Sequence, residues 1–120
     1  MDENELKERT KKFALAIIKL VESLPKTITG RAIVGQLVRC GTSVGANYRS
    51  ACRGRSRAEF IAKLGIVAEE ADESAFWLEI LIDSGIMKPE ELKPLYKEAD
   101  EFTAIFTSSI KSAKRRGNNK

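Results

Sequence analysis

"RCGTSVGANYRSACRGRSRAEF", Arg39 to Phe60, reads in two ways. Its glycines, serines and arginines suit a loop that cradles phosphate. They equally suit a helix with a small-residue face and a basic outer surface. A phosphate loop follows a strand and leads into a helix. The residues just before, GRAIVGQLV from Gly30 to Val38, already carry helical spacing, and neither G-x-x-x-x-G-K-[ST] nor G-x-G-x-x-G is present. The helix reading is therefore carried forward. It must accommodate Gly35, Gly41 and Gly45, each costing ~1 kcal/mol against alanine in a helix interior. Gly41 and Gly45 are four apart and share a face, with Ala46 close by. Such a face lets another helix approach closely, either from the same bundle or from another subunit.

Apolar stripes extend the helical reading along the chain. Phe13, Ile17, Leu20 and Leu24 mark a first helix that Pro25 stops. Ile33, Leu37, Cys40, Val44, Tyr48 and Ala51 mark a second, with Thr27 or Thr29 as its cap and Gly54 as its end. Ser56 and Glu59 fit a reciprocal capping box for a third helix. Its stripe is Phe60, Leu64, Val67, Ala71, Ala75, Leu78 and Ile82, ending at Asp83-Ser84-Gly85. A fourth begins at Pro89, with Glu90 and Glu91 at the positive end of its dipole. Leu92, Leu95, Ala99, Phe102, Phe106 and Ile110 are its stripe, and Lys111, Lys114, Arg115 and Arg116 suit its negative end. Four amphipathic helices with short connections make an all-α, antiparallel up-down four-helix bundle the economical fold. Residues 1–116 are expected to form this single domain, and 117–120 a frayed tail.

The chain of 120 residues lacks any ~20-residue apolar run able to span a membrane. It begins without the apolar region of a signal peptide, so a cytoplasmic location is expected. Cys40 and Cys52 are twelve residues apart on one helix, ~18 Å along its axis, which excludes a bridge between them. With no histidine in the chain, Cys/His metal sites and histidine acid–base chemistry are excluded, and no cofactor or metal is expected.

Charge is strongly segregated beneath a modest net of +4. Between Glu22 and Glu59 there is no acid, while Lys26, Arg31, Arg39, Arg49, Arg53, Arg55 and Arg57 are all basic. From Glu59 to Glu101 twelve acids face four bases, and after Glu101 five bases stand alone. Arg49, Arg53, Arg55 and Arg57 concentrate at the end of helix two and the turn beyond. Such a cluster is an electrostatic footprint for phosphate, which the planar guanidinium binds bidentately. Its alternative is a solvated face paired with the acidic third helix. Phosphate contacts position a protein without reading sequence, and Tyr48 alone interleaves the arginines.

Ser43 and Asn47, also four apart, require partners if they face inward. Glu70 and Glu73 are the candidates for a structural polar core. The same carboxylates raise an enzymatic alternative, since all-α nucleotide pyrophosphatases hold magnesium with E-x-x-E and a following E-x-x-D. That second half is missing here, because Glu79 and Asp83 have the wrong spacing and share the helix.

The segment from Gln36 to Leu81 resembles the four-helix-bundle family named for proteins encoded in intervening sequences of bacterial 23S ribosomal RNA genes. The residues that carry the resemblance are Gln36-Leu37-Val38-Arg39, Ser43-Val44-Gly45-Ala46-Asn47, the turn Arg53 to Arg57, then Phe60 and Leu64, and Trp77-Leu78-Glu79. One departure is Ser50-Ala51, where many relatives have an acid. The resemblance implies an up-down bundle that assembles as a homopentamer. It also brings in the similar accessory variability proteins of diversity-generating retroelements, which associate with a reverse transcriptase and with nucleic acid through basic surfaces. The expected function is a non-catalytic oligomer that binds RNA or DNA through Arg39, Arg49, Arg53, Arg55, Arg57 and Lys63. The alternative is an adaptor whose basic face meets an acidic protein partner.

Overall fold

The structure, a computed structural model, describes residues 1–118. Helix α1 spans Glu3–Glu22, α2 Ile28–Cys52, α3 Arg57–Ser84 and α4 Pro89–Asn118. Each boundary has a local cause. Asp2 caps α1, its carboxylate accepting from the Glu5 amide at 2.8 Å. Thr27, rather than Thr29, caps α2 through the Gly30 amide at 3.0 Å. Ser56 caps α3 by accepting from the Glu59 amide at 3.1 Å. The reciprocal bond from the Glu59 carboxylate is not formed, so the expected capping box is half made. Gly85 ends α3 with φ 72°, a left-handed conformation that side chains with a Cβ rarely adopt.

Helix α4 runs on to Asn118, two residues past the expected domain end at 116, and residues 119–120 of the expected tail lie outside the described residues. It also contains Pro94. Proline has no N–H for the Glu90 carbonyl, and this one sits on the exposed side of the helix, where that carbonyl is open to solvent.

The short connections turn each helix back on the last. α1 packs on α2 and α4, and α3 packs on the same two, so α1 and α3 stand diagonally opposite. The bundle is 54 Å long and 22 by 20 Å across. The predicted stripes line its axis: Ile17, Leu37, Val44, Leu64, Leu78, Phe102 and Phe106 are all sealed from solvent. Tyr48 meets Phe106 across the bundle with ring centroids 5.2 Å apart, and Phe13 meets Phe102 edge-on at 5.5 Å. At the margins the stripes are less complete. Phe60, Ile82, Leu95 and Ile110 are half-buried, while Leu81 and the polar Ser74 are fully buried. Ser74 and buried Thr10 each donate to the carbonyl one turn back, Glu70 and Leu6, both at 2.8 Å.

The small-residue face of α2 lies inside the bundle, against α1. A Cβ at Gly41 would come within 3.0 Å of Ile17 Cγ1, and one at Gly45 within 3.2 Å of Thr10 Oγ1. Of the two packing readings open for these glycines, the intramolecular one holds.

Candidate nucleic-acid interface

The helix directions bring four termini to one pole: the starts of α1 and α3 and the ends of α2 and α4. Two basic stretches far apart in sequence therefore meet there. One is the α2–α3 turn with its arginines. The other is the last turns of α4, with Lys111, Lys114, Arg115 and Arg116.

At this pole a groove of about 500 Å³ runs between α1 and α2. Its floor is Ala14, Thr42, Gly45 and Ala46, and its cations are Lys7, Lys11, Arg49 and Arg53, with Glu8 the single acid. A second depression of about 380 Å³ continues it between α2 and α3, lined by Ser50, Glu59 and Lys63 and sharing Ala46, Arg49 and Arg53 with the first. The two together form a track across three helices. The floor is open because Gly45 packs on Thr10, which draws α1 and α2 together beneath it and leaves only short side chains above. Among the described residues, no carboxylate pairs with Arg49, Arg53, Lys11 or Lys63. Lys7 pairs with exposed Glu3 at 3.1 Å, and the contact holds the Glu3 carboxyl below its usual range. A pair so exposed is easily given up for a phosphate.

The residues expected to bind together do not all share this track. Arg49, Arg53 and Lys63 do. Arg55 is exposed in the turn. Arg57 turns the other way, toward the end of α4, where a Cβ at Gly117 would lie 3.4 Å from its Nη1 and where Lys114 shares its depression. Arg39 lies far up α2, where its guanidinium bonds Glu70 at 3.2 Å and also Glu73 on α3. There it is an inter-helix clasp, the paired state weighed as the alternative for the basic residues. Lys7 and Lys11 were missed. Their signal was a four-residue spacing on the flank of α1 that an up-down topology lays beside the end of α2.

The proposed polar core also separates. Asn47 donates to the Ser43 carbonyl at 2.9 Å and to its hydroxyl at 2.6 Å, within α2. Glu70 and Glu73 instead serve Arg39, and Trp77 Nε1 donates to Glu73 at 3.3 Å. All four residues are half-buried. An arginine outcompetes an amide for two carboxylates, because its charge-assisted bonds are roughly twice as strong. The two thiols are free, as their spacing requires, with Cys40 buried and Cys52 half-buried. No helix of the described residues is long and apolar enough to cross a membrane.

Comparison with known proteins bears on the whole bundle. The family model described as "23S rRNA-intervening sequence protein" matches residues 2–108. A crystal structure from Bacteroides thetaiotaomicron VPI-5482, of a protein of unknown function in the S23 ribosomal protein family, is 35% identical in sequence. The match covers 92% of this chain and 99% of that one, with a TM-score of 0.84. No curated protein matches the chain.

Proposed function

The chain belongs to the family of 23S rRNA-intervening sequence proteins, and from that premise we propose that it is a non-catalytic bundle that binds the phosphate backbone of RNA or DNA at its basic pole. The observation that carries this reading is the track itself: Lys11, Arg49, Arg53 and Lys63 line two adjoining depressions and have no carboxylate partner among the described residues. Unpaired guanidinium and ammonium groups around a shallow floor of small residues suit a ribose–phosphate strand. No aromatic residue lines either depression, so the track offers no ring on which a base could stack. Glu70 and Glu73, the carboxylates of the hydrolase alternative, are engaged by Arg39, which favours the non-catalytic reading. The resemblance extends the proposal to self-association as a homopentamer.

The test is fluorescence anisotropy of labelled single- and double-stranded RNA and DNA across a salt series. The expected result is binding whose affinity falls steeply with salt, each phosphate contact contributing a slope of about −0.7 to −0.9. The triple variant Arg49→Glu, Arg53→Glu, Lys63→Glu is expected to lose binding while its helical circular dichroism is unchanged. If wild-type protein binds nothing at low salt, the nucleic-acid reading fails. The basic pole would then be tested against acidic protein partners by pull-down after nuclease treatment.

A further inference from the structure

Helix α4 outruns the helix it pairs with. Arg9 of α1 is bound to Glu98 and Glu101 of α4. From there α1 has six residues left before its start at Glu3, while α4 has seventeen before its end at Asn118. In this antiparallel pair the difference, eleven residues, is ~16 Å of α4 with no α1 beside it. The face left bare is the one that Glu98 and Glu101 mark. Ser108 and Ser112 follow Glu101 by about two and three turns, and Arg116 follows Glu98 by about five.

In that gap Phe60 of α3 is only half-buried. With Ser108, Ser109, Ser112, Ala113 and Arg116 it lines a depression of about 260 Å³ at the basic pole. Its chemistry differs from that of the track. It holds a ring, which the track lacks, and no acid. Ser109 donates to the Ile105 carbonyl at 3.0 Å, which leaves the exposed Ser108 and Ser112 hydroxyls to a ligand. Helix α4 has no acid after Glu101, and among the described residues no carboxylate pairs with Arg116. The depression also adjoins the track. Phe60 precedes Lys63 by about one turn of α3. Its backbone lies against Gly54, the residue after Arg53, where a Cβ would stand 3.3 Å from the Phe60 nitrogen. No side chain at Gly54 bars the way between the two.

We propose that this depression seats one unpaired nucleotide of the strand whose backbone lies in the track, with its base against Phe60, the base edge bonded by Ser108 and Ser112, and its phosphate on Arg116. This rests on the nucleic-acid reading above and names its substrate class, a single strand rather than a duplex. The volume falls just below the ~300–1,000 Å³ of drug-sized ligand sites, which limits the occupant to about one nucleotide. Every base has a π-face, and a hydroxyl both donates and accepts, so the seat takes any base. A base within a duplex must first leave its stack and its pair, which weighs against duplex.

The test compares a short labelled single strand with a blunt duplex of the same sequence, by anisotropy at matched salt, with circular dichroism to confirm the fold. The single strand is expected to bind more tightly. Phe60→Leu keeps apolar bulk beside Gly54 and is expected to weaken the single strand about 5- to 100-fold, the range for one lost base–aromatic stack. Its salt slope and the duplex affinity are expected to stay as they are. Arg116→Gln, at an exposed position, is expected to lower the single-strand slope by about 0.7 and to leave the duplex slope unchanged. Adenosine monophosphate is expected to compete weakly, since it lacks the further phosphates that the track holds. A duplex bound as tightly as the single strand, a folded Phe60→Leu protein with wild-type affinity, or an unchanged slope in Arg116→Gln would overturn the seat alone. Adenosine monophosphate that displaces the strand at equal concentration would overturn the strand as the source of the nucleotide. Wild-type protein that binds neither nucleic acid at low salt would overturn the track reading, and the seat with it.

Discussion

Arg9 of α1 clasps Glu98 of α4 through two hydrogen bonds, Nε to Oε2 at 2.7 Å and Nη2 to Oε1. The same guanidinium reaches Glu101 and lies 5.0 Å from the ring centroid of Phe102. The pair closes the α1–α4 seam, where Phe13 and Phe102 supply the apolar contact beneath it. Both partners are about three-quarters shielded from water, with side-chain exposures of 23% and 26%, and the Glu98 carboxylate holds the guanidinium proton more tightly than usual. A bidentate, partly desolvated pair is worth more than a surface one. Arg9→Ala is expected to cost about 2 kcal/mol, read as a drop of roughly 8 °C in Tm. Arg9→Met keeps an apolar stem over Phe102 and is expected to recover part of that loss. Glu101→Gln, at the more exposed partner, is expected to change Tm little.

The glycines of α2 separate in the same kind of measurement. Gly41→Ala gains about 1 kcal/mol of helix propensity. It also drives a methyl to 3.0 Å and 3.1 Å from the two γ-carbons of Ile17, which is sealed in the core. Overpacking of this kind costs about 1–3 kcal/mol, so a lowered urea midpoint is expected. Ile17→Val retains both offending γ-carbons and should not rescue Gly41→Ala. Gly35→Ala meets nothing within 4 Å and should stabilise by about 0.4–1 kcal/mol. A Gly41→Ala protein as stable as wild type would mean that α1 can shift outward.

These glycines illustrate what the sequence conveys and what it withholds. The four helices and their axial residues were legible, because an apolar residue every third or fourth position leaves a helix one way to bury them. That Gly41 faces α1 rather than another subunit was not legible, since the spacing says that something comes close without saying what. The basic site was half legible for a similar reason. Arg53, Arg55 and Arg57 are neighbours in sequence, but they straddle the α2–α3 turn, and a turn sends neighbours in different directions. Arg53 enters the track while Arg57 packs toward Gly117. Lys7 and Lys11 join the site from the other end of the chain, through tertiary packing alone. Arg39 carried the right charge for the site but stood opposite Glu70 and Glu73, a relationship set by the register of α2 on α3.

Stability should be flat near neutral pH and fall on the alkaline side. Burial pushes the Cys40 thiol above its usual range. It does the same to the Tyr48 phenol, with smaller contributions from Cys52 and the acids near the start of α1. In the unfolded chain these groups ionise near pH ~8.5 and ~10. Below those values both states hold the protons and neither group contributes a pH dependence. Above them the unfolded chain releases protons that the fold retains, so stability declines as pH rises toward the raised folded values. Urea midpoints measured from pH 6 to 11 should show this decline. Cys40→Ala should flatten its first part and Tyr48→Phe its second, although each also changes packing at every pH. An unchanged slope in both variants would place the alkaline sensitivity elsewhere.

Arg39 and Arg53 sit on the same helix and should behave oppositely toward nucleic acid. Arg53 lines both basic depressions without a carboxylate partner among the described residues. Arg39 must abandon Glu70 and Glu73 before it can meet a phosphate, and those two carboxylates then repel the incoming strand. Arg53→Gln is therefore expected to reduce the salt slope of binding by about 0.7–0.9, one released counterion, with little change in Tm. Arg39→Gln is expected to leave the slope as it is. Because its side chain is 51% exposed, the loss of the clasp should cost no more than about 1 kcal/mol. Equal reductions in slope for both variants would extend the interface up the α2–α3 seam and would mean that the Arg39 clasp opens on binding.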